Sequence, residues 1–211
     1  EGFIDQMLDA RRRAGAKPGD DVTAALMHET VGGRPLGDKE IASILRNWTV
    51  GEVGTIAAAV GIVVEYLSRD AGLQDRLRDR PELLPAAIDE ILRIHGPLVA
   101  NRRVATRPVE IGGRTIAAGE RLSLVWIAAN RDGRVFDDPE AFRLDRDPAA
   151  NLLYGAGIHV CPGAPLARME LRVVMEALLG RASAIEHVPG KAASRAAYPA
   201  SGFADLPVSI R

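Results

Sequence analysis

The segment Tyr154-Gly155-Ala156-Gly157-Ile158-His159-Val160-Cys161-Pro162-Gly163 concentrates residue types that do chemistry. Cys161 is the one cysteine of the chain. It stands just ahead of a predicted helix, where backbone N–H groups and the positive helix end suit a thiolate. A soft thiolate is a good ligand for iron and pushes electron density onto it. The glycines let the backbone pack closely on a flat surface. His159, two residues earlier, is placed to reach another part of the same ligand. The plain alternative is a tight turn with a solvated His159 and with Cys161 as a small buried hydrophobe. Zinc would want about four Cys/His ligands in recognisable pairs. His28, His95 and His187 are scattered without such pairing.

Three weaker signals accompany this loop. Glu90-Ile91-Leu92-Arg93 puts two opposite charges three residues apart, on one helix face where they can pair. Arg102-Arg103 precedes a predicted strand and can bind an anion bidentately, although solvated arginines are the commoner outcome. Gly51, Gly54, Thr55, Ala58 and Gly61 recur at spacings of three and four inside a helical stretch. Glycine costs about 1 kcal/mol in a helix interior. Close approach of another helix would justify these small residues, and so would close approach of a flat ligand.

The elements that must position these groups are mostly helical. Phe3, Met7 and Leu8 fall at helical spacing over 3–13, and Arg11-Arg12-Arg13 suits the helix end. The opening Glu1-Gly2-Phe3 reads as the interior of that amphipathic helix. A short helix is predicted near 22–30, and Gly32-Gly33 and Pro35 then break the chain. A long helix starts at Gly37 or Asp38 and runs to about Leu67; thirty residues would span roughly 45 Å. Helices follow over 71–79 and 85–94, the second with Pro85 in its first turn. Val109-Glu110-Ile111 and Arg114-Thr115-Ile116 flank Gly112-Gly113 and predict a hairpin, and Leu122–Val125 a further strand. Residues 131–151 predict an irregular loop of functional length. A helix over 164–182 and a short-stranded tail complete the chain.

The bulk numbers exclude several classes. The 211 residues, 47% hydrophobic, suffice for one sizeable domain. With 27 Lys plus Arg against 28 Asp plus Glu, the formal charge is -1, which points to neither nucleic acid nor a membrane surface. No apolar run of transmembrane length and no signal peptide are read. A single cysteine allows no internal disulfide and fits a reducing compartment.

Taken in order, the motifs resemble the cytochrome P-450 family. The cysteine loop is similar to its haem-binding signature, Phe-x-x-Gly-x-His/Arg-x-Cys-x-Gly, with Tyr154 in place of Phe. Glu90-x-x-Arg93 resembles the pair of its K helix. Asn130-Arg131-Asp132, Val135-Phe136-Asp137-Asp138-Pro139 and Phe142 resemble its meander, and Ala164–Glu170 the start of its L helix. The resemblance implies a mainly α fold with small β elements: the C-terminal portion of the cytochrome P-450 fold, as a single domain portion over 1–211. Helices H to L, the meander, the cysteine loop and the C-terminal strands would be present, and the N-terminal half of the family fold absent. It implies haem b (iron protoporphyrin IX) with Cys161 as the metal ligand. Arg103 and His159 would bind propionates, and Tyr154, Gly155 and Gly163 would shape the loop. Gly51 would belong to the helix passing over the porphyrin. Glu90 and Arg93 would hold the meander beneath the loop.

The departures from the family pattern carry expectations of their own. Gly51-Glu52-Val53-Gly54-Thr55 stands where the family has Ala/Gly-Gly-x-Asp/Glu-Thr. Thr55 is kept, Gly54 replaces the acid, and a carboxylate appears at Glu52. Reductive cleavage of dioxygen needs two protons, and Glu52 with Thr55 is the candidate relay. The alternative has Glu52 facing away and waters carrying protons. Ala141 stands where the meander often has Arg, so the third partner of Glu90 and Arg93 is expected to be Arg143 or to be absent.

The implied reaction is insertion of one atom of dioxygen into a small organic, apolar substrate. Electrons would come from NAD(P)H through a ferredoxin reductase and a ferredoxin, in the cytoplasm. Arg168 and Arg172 are candidate docking residues for the ferredoxin. The rivals are a peroxide-using or rearranging haem-thiolate enzyme and an inactive truncated remnant, and activity is not expected of this half by itself.

Overall fold

The computed structural model describes residues 2–211. The chain packs as two compact units that divide between Gly54 and Thr55.

The first unit opens with α1 (Gly2–Ala14), whose Leu8 is wholly buried. Asp21 caps α2 (Val22–His28) by accepting the Ala24 N–H at 2.8 Å, and Arg11 holds the same carboxylate at 3.0 Å. The helix expected to reach residue 30 ends two residues sooner. Thr30–Val31 is β1 instead, paired antiparallel with β2 (Arg34–Pro35). Gly32 and Gly33, at φ +60° and +78°, make the turn, a conformation that favours glycine. The long helix α3 (Asp38–Ser68) then begins. Glu40 accepts the Gly37 N–H at 2.9 Å and takes the Arg34 guanidinium on both oxygens at 2.7 Å.

By length and composition α3 passes for a membrane-crossing helix, with a mean hydropathy of 1.6 over eighteen residues. This corrects the expectation that no apolar stretch is long enough. Its second half is a core element: Ala59, Ile62, Val63, Val64 and Leu67 are all buried in the second unit.

Around that half pack α4 (Ala71–Asp79), α5 (Leu84–His95) and α7 (Ala164–Arg181), which bring Leu73, Leu77, Ile88, Ile91, Leu171 and Met175. Each such side chain contributes about 1.5–3 kcal/mol on burial. Asp70 caps α4 through the Leu73 N–H at 2.9 Å. Gln74 of α4 donates to the Leu67 and Ile185 carbonyls and accepts the Ile185 N–H, so it fastens the chain after α7 to the helices.

The β elements are small antiparallel pairs. β3 (Ala100–Val104) pairs with β6 (Arg121–Val125), placing Arg103 opposite Leu122. Arg102 and Arg103 thus lie inside a strand rather than before one, because the pairing with β6 starts at Ala100. β4 (Val109–Ile111) and β5 (Arg114–Ile116) form the expected hairpin around Gly112-Gly113. The one-turn helix α6 (Trp126–Ala129) follows β6. In the tail, β7 (Ile185–His187) pairs with β10 (Val208–Ile210), and β8 (Ser194–Arg195) with β9 (Phe203–Asp205). The mainly helical fold with small β pairs is the expected one.

Candidate functional site

Cys161 is exposed, against the bare expectation for a lone cysteine. Its loop is shaped by backbone. The Cys161 N–H donates to the Tyr154 carbonyl at 2.8 Å and its own carbonyl accepts the Ala164 N–H at 3.2 Å. Gly157–His159 is a single 3-10 turn closed by the Val160 N–H on the Gly157 carbonyl. Gly155 and Gly157 sit at φ +74° and +62°. At Gly155 space is also short, because a methyl there would stand 3.1 Å from the His159 carbonyl oxygen. Gly163 is different: its φ is -84° and a methyl would rest 3.8 Å from Cys161 Sγ, an ordinary contact.

Two apolar residues that precede Cys161 in the loop are open to solvent, Ile158 96% and Val160 54% exposed. Among the described residues no three His, Cys, Asp or Glu side chains cluster to hold a metal. An exposed sulfur on a glycine-shaped loop that also exposes apolar side chains fits a flat apolar metal complex held through one protein ligand. The donor set does not fit a bare ion, which would want several protein ligands.

Behind the loop lies a dense polar network. Arg93 is 1% exposed, and its Nε and Nη2 donate to the two oxygens of Glu90 at 2.7 and 2.9 Å. Its Nη1 donates to the Asn130 carbonyl at 2.6 Å and its guanidinium lies 4.9 Å from the centre of the Phe136 ring. Asn130 in turn accepts the Leu152 N–H on Oδ1 at 2.8 Å, so the pair on α5 reaches the chain leading into Tyr154. The third partner of Glu90 is Arg146, not Arg143. Arg146 Nε donates to Glu90 Oε1 at 2.9 Å, and its Nη1 and Nη2 hold the Asp137 and Asp138 carbonyls. Arg143 offers Glu90 its backbone N–H at 3.2 Å and spends its side chain on Asp145. Sequence reasoning missed Arg146 and the linking role of Asn130. The only local hint was an arginine between two aspartates at 145–147.

Tyr154, Gly155, His159, Cys161 and Gly163 thus share one loop, with His159 exposed in its 3-10 turn. Burial pushes the Tyr154 phenol up to about 12, with the Asp89 carboxylate adding to the effect. Arg103 lies on β3, half-buried, and donates Nη1 to the Arg102 carbonyl at 2.9 Å. In α3, Gly51 and Glu52 are exposed in the first unit, and Thr55 is half-buried at the start of the second. A methyl on Gly51, Gly54 or Gly61 would meet no atom within 4 Å, so no other helix among the described residues crowds them. Arg168 and Arg172 are not simply solvated. Arg168 pairs with Asp89 at 3.0 Å and Arg172 with Glu176 at 3.8 Å.

With the geometry in place, known proteins can be compared. Residues 2–186 match the family model described as Cytochrome P-450. The chain is 35% identical over 185 residues to linalool 8-monooxygenase of Pseudomonas putida, covering 88% of this chain and 45% of that protein. It is 38% identical over 183 residues to nocardicin C N-oxygenase of Nocardia uniformis, covering 86% and 45%. Among solved structures, substrate-free CYP109E1 from Bacillus megaterium superposes with a TM-score of 0.91 at 29% identity, over 98% of this chain and 53% of that one. The chain spans about half the length of the curated relatives it matches.

Proposed function

The chain belongs to the cytochrome P-450 family, and from that membership we propose that it is the haem-ligating portion of a monooxygenase acting on a small organic, apolar molecule. The observation that carries this reading is the exposed Cys161 on its backbone-shaped loop, with the Glu90–Arg93 network locked behind it. Haem b bound there would supply activation of dioxygen, with two electrons from NAD(P)H through a ferredoxin reductase and a ferredoxin.

The chain's own residues have distinct tasks in this reading. Cys161 Sγ would hold the iron. Gly155 lets the loop close where a side chain would strike the His159 carbonyl. His159 and Arg103 would be the donors for propionates, whose charge would strengthen each hydrogen bond. Gly51 would be the position on α3 that leaves room for a flat group, as the family resemblance implies. Thr55 Oγ1 holds a proton and passes it on, and Glu52, one helical turn away in sequence, restores it. No nucleic acid or membrane is a partner, and the compartment is the cytoplasm. The balanced charge and the lone cysteine support this.

The test is the spectrum of the reduced carbon monoxide complex. A red-shifted Soret band that is lost in Cys161→Ser is expected. A protein that takes up no haem would reduce the chain to an inactive relative. A second reading rests on Gly54, which stands where the family has an acid. Without that acid the site suits peroxide-driven or rearrangement chemistry. Turnover with peroxide that exceeds turnover with NADPH and ferredoxin, together with unchanged coupling in Glu52→Gln, would favour it over the relay.

A further inference from the structure

Three side chains from three segments stack behind the Cys161 loop. Asp89 comes from α5, next to Glu90. Arg168 comes from the first turns of α7, and its Nε donates to Asp89 Oδ2 at 3.0 Å and Oδ1 at 3.4 Å. The same guanidinium lies over the Tyr154 ring, with Cζ 4.5 Å from its centre. Tyr154 carries the Cys161 N–H on its carbonyl at 2.8 Å. Its hydroxyl is buried with no hydrogen-bond partner. The ring is therefore held by packing and by the cation, not by its polar tip. Asn151 Nδ2 donates to the Asp89 carbonyl at 3.3 Å, so the same turn of α5 also holds the entry to the loop.

A charge so placed acts on Cys161 in two ways. It fixes the residue that accepts the cysteine's N–H, and it contributes potential at the sulfur. The Asp89 carboxylate opposes that potential. Their side chains are 20% and 50% exposed for Asp89 and Arg168, so solvent screens but does not abolish the effect.

We propose that Arg168 is a positioning residue for Cys161: it clamps the Tyr154 ring, and its charge, balanced by Asp89, sets the reduction potential of iron held by the thiolate. The proposal rests on the haem-thiolate reading above. It differs from a purely structural role in one sign. Arg168→Gln and Asp89→Asn break the same ion pair, so a structural role moves the potential the same way in both. An electrostatic role moves it in opposite directions.

The measurement is the ferric–ferrous midpoint potential of the haem-loaded protein, parent and variants, at low and high salt. Arg168→Gln removes a positive charge, disfavours the added electron and should shift the midpoint negative. Asp89→Asn should shift it positive. Each shift corresponds to on the order of a fivefold change in the ferric–ferrous equilibrium and shrinks as salt rises. Arg168→Lys keeps the charge and should stay near the parent, and it carries the test with Asp89→Asn if the glutamine variant does not fold. Shifts of the same sign, or no shift in either variant, overturn the proposal. A parent that binds no haem overturns both it and the reading beneath it. A parent with the thiolate band and same-sign shifts overturns this proposal alone.

Discussion

The segment around Glu90 and Arg93 and the segment around Cys161 follow opposite plans. In the first, two charges are almost wholly enclosed and their hydrogen-bonding positions are taken up by Arg146, the Arg143 N–H and the Asn130 and Ala141 carbonyls. In the second, the key side chain is exposed and order comes from backbone, through glycines at positive φ and the Cys161–Tyr154 bond. The difference separates two tasks. A ligand-binding atom must stay accessible, so it cannot be fixed by burying it. Its position is instead inherited through Asn130 and Leu152 from a network that can afford enclosure because nothing has to reach it.

That division is broken most directly at Arg93. Removing one partner of a buried, hydrogen-bonded ion pair leaves the other charge stranded and costs about 3–5 kcal/mol. Arg93→Met should lower stability by that amount in urea unfolding, while Cys161→Ser, at an exposed atom, should leave the midpoint near that of the parent. Equal losses would mean that the two segments do not divide the work. Asn130→Ala cuts the link rather than either end. The half-buried Leu152 N–H loses its acceptor, at a cost of about 0.5–1.5 kcal/mol. Amide exchange should quicken over 152–161 and leave α5 protected.

The Cys161 loop can be probed within itself. Gly155 and Gly157 share the left-handed conformation, which costs a residue with a side chain about 1–2 kcal/mol. Only at Gly155 does an added methyl also press on backbone, 3.1 Å from the His159 oxygen, whereas at Gly157 it meets nothing within 4 Å. Gly155→Ala should therefore weaken haem uptake more than Gly157→Ala, as read by titration. The reverse order would show that conformation, not crowding, limits the loop.

The two plans also differ in how far they were legible in the sequence. Local patterns announced themselves: α4 occurs over the 71–79 expected of it, and Gly112-Gly113 placed a hairpin where it occurs. The cysteine loop was legible for the same reason, since its glycines, His159 and Cys161 are contiguous. Arg146 was not, because it meets Glu90 from 56 residues away and only the folded meander brings them together. The start of β3 was missed because pairing with β6 is non-local, and Thr30–Val31 because a two-residue strand leaves no periodicity to read. Gly51, Glu52 and Thr55 fall within the helix expected of them, and their chemistry depends on what approaches that helix.

The smallest expected effect sharpens the comparison from the enclosed side. His95 ends α5 two residues beyond Arg93, half-buried, with its ring 5.8 Å from that of Tyr66. Burial pulls its pKa below the ordinary imidazole value, Arg131 adds to the shift, and Glu65 opposes it. The folded state therefore binds this proton less readily than the unfolded chain does. Stability from this source is complete above the usual imidazole range, and it declines as pH falls from there through the lower folded value. His95→Gln should flatten the stability profile between about pH 7 and pH 5, the range an unperturbed imidazole spans. An unchanged profile in His95→Gln would show that enclosure at the rear of the site does not set the proton affinity of this side chain.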